Sequence, residues 1–473
     1  MIVPARRLFG TDGVRGLAGV EVTAELALGL GRVAATLSPA DRPRVLVIRD
    51  TRESGEMLEA AIAAGVAEAG GEVLLGGVLP TPAAPLLIRR YGFDLGVVLS
   101  ASHNAYPDNG IKLFGPDAFK LTDAAELEIE RHLPGAGARA PAPAAATAAA
   151  PAAAAPPGGV AGTPGPGPEP GPPGIGRIRR MHGCDEDYLR ELHLRFESLS
   201  LDGVDVLLDC AHGATYRVAP EIFRRLGAKV ATIAAQPDGR NINDGCGSTH
   251  PEALVAGVLA GGHDIGFAFD GDGDRLLGVD RRGALVDGDE LLALSALHLR
   301  RAGRLPGGGV AVTVMTNFGF HTAMAEAGIA VATTDVGDRY VLEALRARGW
   351  ALGGEQSGHI IDMGFAPSGD GIAAALLALE ALGGGDLAGR AAMEKLPQRL
   401  VNVRVRDRRA LDRSAAVGDA VARESRALEG RGRVLVRPSG TEALVRVMVE
   451  APTPDETDAV CRRLAALIEA ELA

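Results

Sequence analysis

The sequence contains few lysines, few cysteines and few aromatic residues. Aromatic side chains make up only 4% of the 473 residues, and lysine supplies only four of the 49 basic residues. The four cysteines form no Cys-x-x-Cys pair, so neither a zinc site nor a thioredoxin-type redox site is predicted. Thiols scattered along a chain in this way fit a reducing compartment.

The sequence also lacks an apolar segment long enough to cross a bilayer, and its first residues lack the basic-then-apolar order of a signal peptide. We therefore expect a soluble, cytoplasmic protein that does not bind a membrane. The formal net charge of -11 argues against general nucleic-acid binding, which requires a cationic face. An acidic balance still permits a locally basic pocket for phosphate groups.

The chain is long enough for several packed domains, and 47% of its residues are hydrophobic. Residues 134–174 consist almost wholly of Ala, Pro and Gly, and such a segment cannot bury apolar side chains. We interpret it as a tolerated disordered insertion rather than a binding tail. The predicted divisions are an α/β unit at 1–133, the insertion at 134–174, α/β units at 175–279 and 280–388, and an α+β unit at 389–473.

Short apolar runs alternate with helical stretches on both sides of the insertion, which predicts the α/β class with largely parallel strands in three similar units. Helices are expected over 57–69 and 216–226. The predicted strands are 44–48, 72–75, 95–99, 204–209, 229–233, 265–269, 276–279, 310–314 and 329–333. The last part of the chain, with strands at 400–405, 433–436 and 443–450, predicts an antiparallel sheet.

Three carboxylates alternate with glycines in the segment 269–275, Phe-Asp-Gly-Asp-Gly-Asp-Arg. Asp270, Asp272 and Asp274 can converge on one hard cation, and Mg²⁺ favours oxygen ligands of this kind. An EF-hand also begins with alternating aspartates, but it requires Gly and Glu where this sequence has Arg275 and Arg281. We therefore predict a metal site rather than an EF-hand or a solvated acidic turn.

A serine follows the predicted strand 95–99 in the segment Ser-Ala-Ser-His-Asn at 100–104. A hydroxyl at the C-terminal end of a strand suits a nucleophile or phosphoryl carrier, although serines in turns more often cap helices. No Gly-x-Ser-x-Gly elbow surrounds Ser102, so a hydrolase triad is not predicted. Lys112 is one of the few lysines; with a lowered pKa it could act as a base, which arginine could not. The alternative for Lys112 is a surface charge.

Three more loops gather polar groups. The segment 437–442, Arg-Pro-Ser-Gly-Thr-Glu, combines a guanidinium, two hydroxyls and a glycine, and Arg446 could face the same anion from the next strand. The segment 353–359, Gly-Gly-Glu-Gln-Ser-Gly-His, suits sugar hydroxyls or an amine. The segment 9–16 is a similar loop near the N-terminus. An ordinary turn is the alternative for each loop, and the missing P-loop motif argues against a P-loop kinase.

Taken in order along the chain, these five loops resemble those of the α-D-phosphohexomutase superfamily. The resemblance covers nearly the whole chain apart from 134–174. It implies a four-domain architecture in which three similar mixed α/β domains and a C-terminal α+β domain surround a central cleft. It also implies interconversion of a hexose 6-phosphate and a hexose 1-phosphate through a phosphoserine enzyme and a sugar 1,6-bisphosphate.

The resemblance also implies roles for single residues. Ser102 resembles the serine that is phosphorylated, and its phosphate would complete a Mg²⁺ site with the three aspartates of the segment 269–275. Lys112, Arg15 and His103 resemble catalytic residues with acid/base or orienting roles. The implied substrate-binding residues are Arg275, Glu355, Ser357, His359, Arg437, Ser439, Gly440, Thr441 and Arg446.

Gln356 and the segments 241–243 and 246–250 resemble the branch of the family that acts on glucosamine phosphates. We therefore expect glucosamine 6-phosphate and 1-phosphate as substrates of a monomer or homodimer. A phosphomannomutase or phosphoglucomutase of the same mechanism, and a non-catalytic phosphosugar-binding regulator, remain as alternatives. Ala105 and Ala443 stand where the family usually has proline, which leaves both loops freer.

Overall fold

The computed structural model describes residues 8–10, 12–133, 174–383, 385–439 and 443–472. Apart from Gly174, the insertion that we interpret as disordered lies outside these residues. Within the described residues, three mixed α/β sheets are followed by one small antiparallel sheet. The fold class expected from the sequence is thereby confirmed. No helix in the described part of the chain is long and apolar enough to cross a membrane.

The first unit is a six-stranded mixed sheet with four helices. Its elements are β1 (Val14–Leu17), α1 (Ala24–Thr36), β2 (Arg44–Arg49), α2 (Ser54–Glu68), β3 (Glu72–Val78), α3 (Ala83–Tyr91), β4 (Leu95–Leu99), β5 (Asp108–Phe114), α4 (Asp123–His132) and β6 (Ile178–Arg180). The strand order is β1-β5-β4-β2-β3-β6. Strands β2, β3, β4 and β6 run parallel, and β5 is antiparallel to both β4 and β1.

Strand β6 corrects one predicted boundary. It follows the insertion in sequence, yet it pairs with β3 at the edge of the first sheet. The predicted start of the second unit at residue 175 is therefore wrong. The physical reason is that the outer edge of β3 carries unpaired backbone groups, which the returning chain satisfies.

The second unit is a five-stranded mixed sheet. Its elements are α5 (Cys184–Arg195), β7 (Asp205–Asp209), α6 (Val218–Arg225), β8 (Lys229–Ile233), α7 (Glu252–Gly261), β9 (Ile265–Phe269), β10 (Leu276–Asp280) and β11 (Leu285–Val286). The order is β11-β10-β9-β7-β8. Because β11 turns back onto β10, this unit extends past the predicted boundary at residue 279.

The third unit is a four-stranded sheet in the order β13-β12-β14-β15, with the last pair antiparallel. Its elements are α8 (Gly288–Arg301), β12 (Gly309–Thr313), α9 (Phe318–Glu326), β13 (Ala330–Thr334), α10 (Asp338–Arg348), β14 (Leu352–Gly354), β15 (Ile360–Asp362) and α11 (Gly371–Leu382). The fourth unit has an antiparallel sheet in the order β16-β18-β17. Its elements are β16 (Gln398–Arg404), α12 (Ala415–Ala427), β17 (Arg433–Pro438), β18 (Leu444–Glu450) and α13 (Pro454–Leu472).

The buried apolar side chains show how these units are held together. One continuous core extends through the first three units, from Leu46 in β2 to Ala392, whereas the fourth unit has a separate core that includes Val447 and Leu464. Strands β4 and β9 are buried at every residue, as expected where both faces of a sheet are covered. The loops that follow these two strands therefore start from rigid positions.

Candidate active site

Ser102 lies three residues beyond the end of β4, in a strained backbone conformation. Its φ is +53°, a left-handed value that is costly for a residue with a side chain. Its N–H donates to Oγ of Ser100 at 2.9 Å, and that hydroxyl donates to Oδ2 of Asp50 at 2.6 Å. The side chain of Ser102 is fully buried, and its hydroxyl donates to Oδ2 of Asp270 at 2.5 Å. The structure thus brings the expected phosphoryl carrier to the expected metal loop.

The three carboxylates of the metal loop, 270–274, converge. Asp270, Asp272 and Asp274 are buried, and each offers an oxygen within 4.8 Å of the others. Burial and the charges of Asp274 and Asp272 raise the pKa of Asp270 well above its usual range. Among the described residues, Oδ1 of Asp272 and Oδ1 of Asp274 have no hydrogen-bond partner. A divalent cation would both satisfy these oxygens and offset the repulsion, so the residues fit such an ion.

Two glycines allow the metal loop to approach the serine. A Cβ on Gly271 would lie 2.7 Å from the carbonyl oxygen of Ser102 and 2.7 Å from Nδ2 of Asn243. Gly273 has a φ of +72°, and a Cβ there would lie 2.5 Å from a methyl group of Thr215. The alternation of Asp with Gly in this segment is therefore required by space and backbone conformation as well as by the carboxylates.

Lys112, in β5, is a buried cation beside the metal loop rather than a surface charge. Its Nζ lies 2.9 Å from Oδ2 of Asp272 and 3.0 Å from Oδ2 of Asp12. Burial alone would lower the pKa of Lys112, but the charges of Asp12, Asp272 and Asp274 outweigh it and raise the pKa above its usual value. These carboxylate neighbours favour the protonated form of Lys112, which does not support the hypothesis that it acts as a base through a lowered pKa.

Asp12 is a site residue that the sequence analysis did not single out. Its carboxylate contacts the guanidinium of Arg15 and the ammonium groups of Lys112 and Lys120. Burial would raise the pKa of Asp12, but these three cations hold it well below its usual range. Lys120 also lies 2.5 Å from Oδ2 of Asp338, the first residue of α10. The scarcity of lysine was the signal that could have identified Lys120.

The sugar loop, 353–359, contacts the metal loop through His359. Oε1 of Glu355 accepts a hydrogen bond from the N–H of Gly337 at 3.1 Å. Nε2 of His359 accepts from the N–H of Gly369 at 3.1 Å, and its Nδ1 lies 3.6 Å from Oδ2 of Asp274. Glu355 and His359 are buried, whereas Ser357 is exposed.

A cavity of about 410 Å³ lies between the loops of the first three units. The residues that line it include Arg15, Asp274, Arg275, Gly337, Glu355 and His359. Its volume is within the range of small-molecule binding sites. The cavity therefore collects residues from the N-terminal loop, the metal loop and the sugar loop.

Two further predicted residues lie beside these loops. The N–H of Arg275 donates to Oδ1 of Asp270 at 3.2 Å. Nδ1 of His103 lies 3.4 Å from Oγ of Ser102. Burial, together with the charges of Arg275 and Arg15, lowers the pKa of His103 to about 4, so the imidazole is neutral near pH 7.

The fourth unit contributes two arginines. Arg437 and Arg446 are direct cross-strand partners on β17 and β18. The guanidinium of Arg437 lies 3.5 Å from the sulfur of Met315, which follows β12 of the third unit. Burial and the charge of Arg446 lower the pKa of Arg437. Like charges placed directly opposite destabilise a sheet, so this pair fits a site that receives an anion.

The rest of the predicted phosphate cradle is only partly described. Ser439 follows β17 and is buried. Gly440 and Thr441 lie outside the described residues. The structure therefore shows the arginines of the cradle together with Ser439.

Known families and proteins match this chain over most of its length. The matching family models are phosphoglucomutase/phosphomannomutase alpha/beta/alpha domain I at residues 6–139, domain II at 186–283, domain III at 287–400, and the C-terminal domain at 400–467. Among solved structures, a phosphoglucomutase/phosphomannomutase family protein from Burkholderia thailandensis has a TM-score of 0.75 at 21% identity, over 98% of this chain and 97% of that one. N-acetylphosphoglucosamine mutase from Aspergillus fumigatus has a TM-score of 0.60 at 17% identity, over 99% and 96%.

Curated relatives are closer in sequence. Phosphoglucosamine mutase from Desulforudis audaxviator is 50% identical over 449 residues, covering 94% of this chain and 94% of that protein. Phosphoglucosamine mutase from Heliobacterium modesticaldum is 47% identical over 466 residues, covering 97% of this chain and 98% of that protein. The chain therefore belongs to the phosphoglucosamine mutase family and is a mutase, an enzyme of the isomerase class.

Proposed function

We propose that the chain interconverts glucosamine 6-phosphate and glucosamine 1-phosphate, and that Ser102 carries the phosphoryl group between the two positions. The observation that carries the proposal is the contact of Ser102 Oγ with Asp270, which places a hydroxyl against the three converging carboxylates. The relatives named phosphoglucosamine mutase support the amino sugar as substrate.

The proposed reaction has two phosphoryl transfers. In the first, the bond from phosphorus to Oγ of phosphorylated Ser102 breaks, a bond to O1 of the sugar 6-phosphate forms, and the proton of O1 passes to Oγ. The sugar 1,6-bisphosphate then turns end over end. In the second transfer, the bond from phosphorus to O6 breaks, Oγ takes the phosphoryl group back, and the proton of Oγ passes to O6. A neutral His103, 3.4 Å from Oγ, would relay this proton.

The three aspartates of the metal loop would hold Mg²⁺, which when bound supplies positive charge to the transferred phosphoryl group. A phosphoryl group on Oγ of Ser102 removes the hydrogen bond to Asp270 and places a dianion beside three carboxylates. Lys112 offsets part of this negative charge from 2.9 Å away from Asp272. The oxygens of Asp272 and Asp274 that have no partner within the described residues support a cation as the remaining compensation.

The substrate would be held at both ends. Glu355 and His359 line the cavity and suit the hydroxyl groups and the ammonium group of glucosamine. Arg437 and Arg446 would bind the phosphate that is not being transferred. Because the bisphosphate turns over between the two transfers, these arginines must accept a phosphate on either O6 or O1. The Aspergillus fumigatus structure contains GlcNAc-6P and magnesium, the same two classes of ligand.

The proposed location is the cytoplasm. All four cysteines are buried, and they form no disulfide in the described part of the chain. Free thiols of this kind suit a reducing compartment.

The test of the proposed function is Ser102→Ala. We expect mutase turnover to be abolished and phosphoserine to be missing from the intact mass, while calorimetry still detects binding of glucosamine 6-phosphate. Ser200→Ala, at an exposed serine on the second unit, is the matched control and should behave like the wild type. Full turnover by Ser102→Ala would overturn the assignment.

A further inference from the structure

Arg52 is a fully buried arginine on the loop between β2 and α2, and the reaction described above does not use it. Its guanidinium has five N–H groups, and each of them has an acceptor at 2.5–3.0 Å. The acceptors are Oδ2 of Asp50 and the main-chain carbonyl oxygens of Ser102, Asn104, Ala105 and Asp108. Four of the five hydrogen bonds therefore hold one segment, 102–108, which we call the serine loop.

Asn243 holds the same loop from the second unit. Its Nδ2 donates to the carbonyl oxygens of Ser102 at 2.9 Å and of Asn104 at 3.0 Å. The same two carbonyl oxygens also accept hydrogen bonds from Nη2 of Arg52. Asn243 is itself buried and is anchored by its N–H, which donates to the carbonyl of Ala211 at 2.9 Å.

We propose that Arg52 and Asn243 form a clamp that sets the position of Ser102 for phosphoryl transfer. Both are positioning residues, because they contact the main chain of the serine loop. The inference rests on the proposed function, in which Ser102 is the phosphoryl carrier. It goes further because it makes the rate of phosphoryl transfer depend on two residues that lie on different units.

The backbone of Ser102 shows why a clamp is needed. A φ of +53° is unfavourable for serine, and such a conformation persists only where the surroundings impose it. Ala105 does not restrict φ as proline would, so the order of the loop depends on hydrogen bonds from outside it. The clamp supplies six such bonds, four from Arg52 and two from Asn243.

The clamp also contacts the metal loop. The position that a Cβ would take on Gly271 is 2.7 Å from both Nδ2 of Asn243 and the carbonyl oxygen of Ser102. A shift of the serine loop therefore changes the position of Oγ relative to the three carboxylates. Phosphoryl transfer depends mainly on alignment and charge, and a displacement of about 1 Å can cost about 100-fold in rate.

Two conservative substitutions test the clamp. Arg52→Lys keeps the charge but provides at most three donors in place of five, and Asn243→Asp keeps the shape but removes both donors. We expect each variant to lose about 100-fold in kcat, with the KM for glucosamine 6-phosphate within about threefold of the wild type. Because both residues hold the same two carbonyl groups, the double variant should lose less in kcat than the product of the single losses.

Arg195→Lys is the matched control. Arg195 is also largely buried and pairs with Asp362 and Glu380, away from the serine loop. We expect it to lower the unfolding temperature while leaving kcat unchanged. A fall in kcat of Arg52→Lys or Asn243→Asp that is no larger than that of the control would overturn the clamp.

Failure of the clamp and failure of the proposed function give different results. Intact mass of the wild type after incubation with glucosamine 1,6-bisphosphate, followed by peptide mapping, shows whether Ser102 is phosphorylated. A wild type without phosphate on Ser102 contradicts the proposed function. A phosphorylated wild type together with a folded Arg52→Lys variant of normal kcat contradicts the clamp alone. If Arg52→Lys fails to fold, Asn243→Asp alone decides in the same way.

Discussion

Nζ of Lys112 lies 2.9 Å from Oδ2 of Asp272, so a cation of the first unit contacts the metal loop of the second. Oxygens of Asp12 and Asp274 lie 3.0 Å and 3.8 Å from the same ammonium group. Removing this charge leaves the buried carboxylate of Asp272 without its ion-pair partner. We predict that Lys112→Met loses at least about 100-fold in turnover and unfolds at a lower temperature. It should also bind Mg²⁺ more tightly, because a repelling cation is gone, and calorimetric titration measures this affinity.

The control for Lys112 is Lys229→Met. The side chain of Lys229 is 80% exposed and pairs with Asp205 on the surface, so its loss should change neither turnover nor Mg²⁺ affinity. A Lys112→Met variant with wild-type turnover, or with weaker Mg²⁺ binding, would contradict the role of Lys112 as the compensating cation.

The raised pKa of Asp270 predicts that replacing this residue changes the unfolding temperature in opposite directions with and without metal. Burial and the charges of Asp274 and Asp272 oppose ionisation of Asp270, so without Mg²⁺ its carboxylate destabilises the fold. We predict that Asp270→Asn unfolds at the same or a higher temperature than the wild type in EDTA. In millimolar Mg²⁺ the order reverses, because an ion that binds only the folded state stabilises the protein that retains its ligands.

Thermal unfolding followed by circular dichroism checks this reversal. Asp244→Asn, at an exposed carboxylate outside the metal loop, should keep the wild-type response to Mg²⁺. An equal rise in unfolding temperature on adding Mg²⁺ to Asp270→Asn and to the wild type would show that Asp270 is not a ligand.

The cross-strand pair of arginines in the fourth unit should affect substrate binding and protein stability in different ways. Arg437 and Arg446 repel each other across β17 and β18, while both would attract the phosphate of the substrate. We predict that Arg437→Met raises KM about 10-fold to 100-fold, as expected for loss of a charged hydrogen bond. Its unfolding temperature should be unchanged or higher. Steady-state kinetics and thermal unfolding measure the two effects.

Arg431→Met is the control for the arginine pair. Arg431 forms a surface ion pair with Glu456 in the same unit, so its loss should leave KM unchanged. An unchanged KM for Arg437→Met would remove Arg437 from the substrate site.

Much of the fold could be predicted because buried strands carry a local signal. The buried strands 95–99 and 265–269 begin and end where the apolar runs do. Strand β6 could not be placed in this way, because its partner β3 lies on the far side of the insertion. Pairing between distant segments leaves no periodicity in either segment alone.

The candidate site was predictable only where its chemistry is concentrated in a short motif. The alternating aspartates and the serine loop are such motifs. Arg52 and Lys120 are single residues whose partners lie far along the chain, as with the contact of Lys120 to Asp338. The raised pKa of Lys112 could not be predicted for the same reason, because it depends on the carboxylates of Asp12 and Asp272, and Asp272 lies 160 residues away.

Asp289, near the start of α8, leads to a prediction about pH. It is fully buried, and burial together with the charge of Asp287 raises its pKa to about 7 from an ordinary 3.8. The N–H of Asn317 donates to its Oδ2 at 2.8 Å, and Lys395 provides some opposing positive charge. These favourable interactions do not outweigh burial, so the protonated carboxyl is the form that the folded state prefers below about pH 7.

The sign of the pH effect follows from this raised pKa. The folded state binds the proton more tightly than the unfolded state, so the contribution of Asp289 to the free energy of unfolding is complete below about pH 4 and is lost as the pH rises to about 7. We predict that the unfolding temperature of the wild type falls more between about pH 5 and pH 8 than that of Asp289→Asn, which cannot ionise. Asp455→Asn, at an exposed carboxylate of the fourth unit, should follow the wild type. Parallel pH curves for the wild type and Asp289→Asn would show that Asp289 is already ionised at low pH in the folded protein.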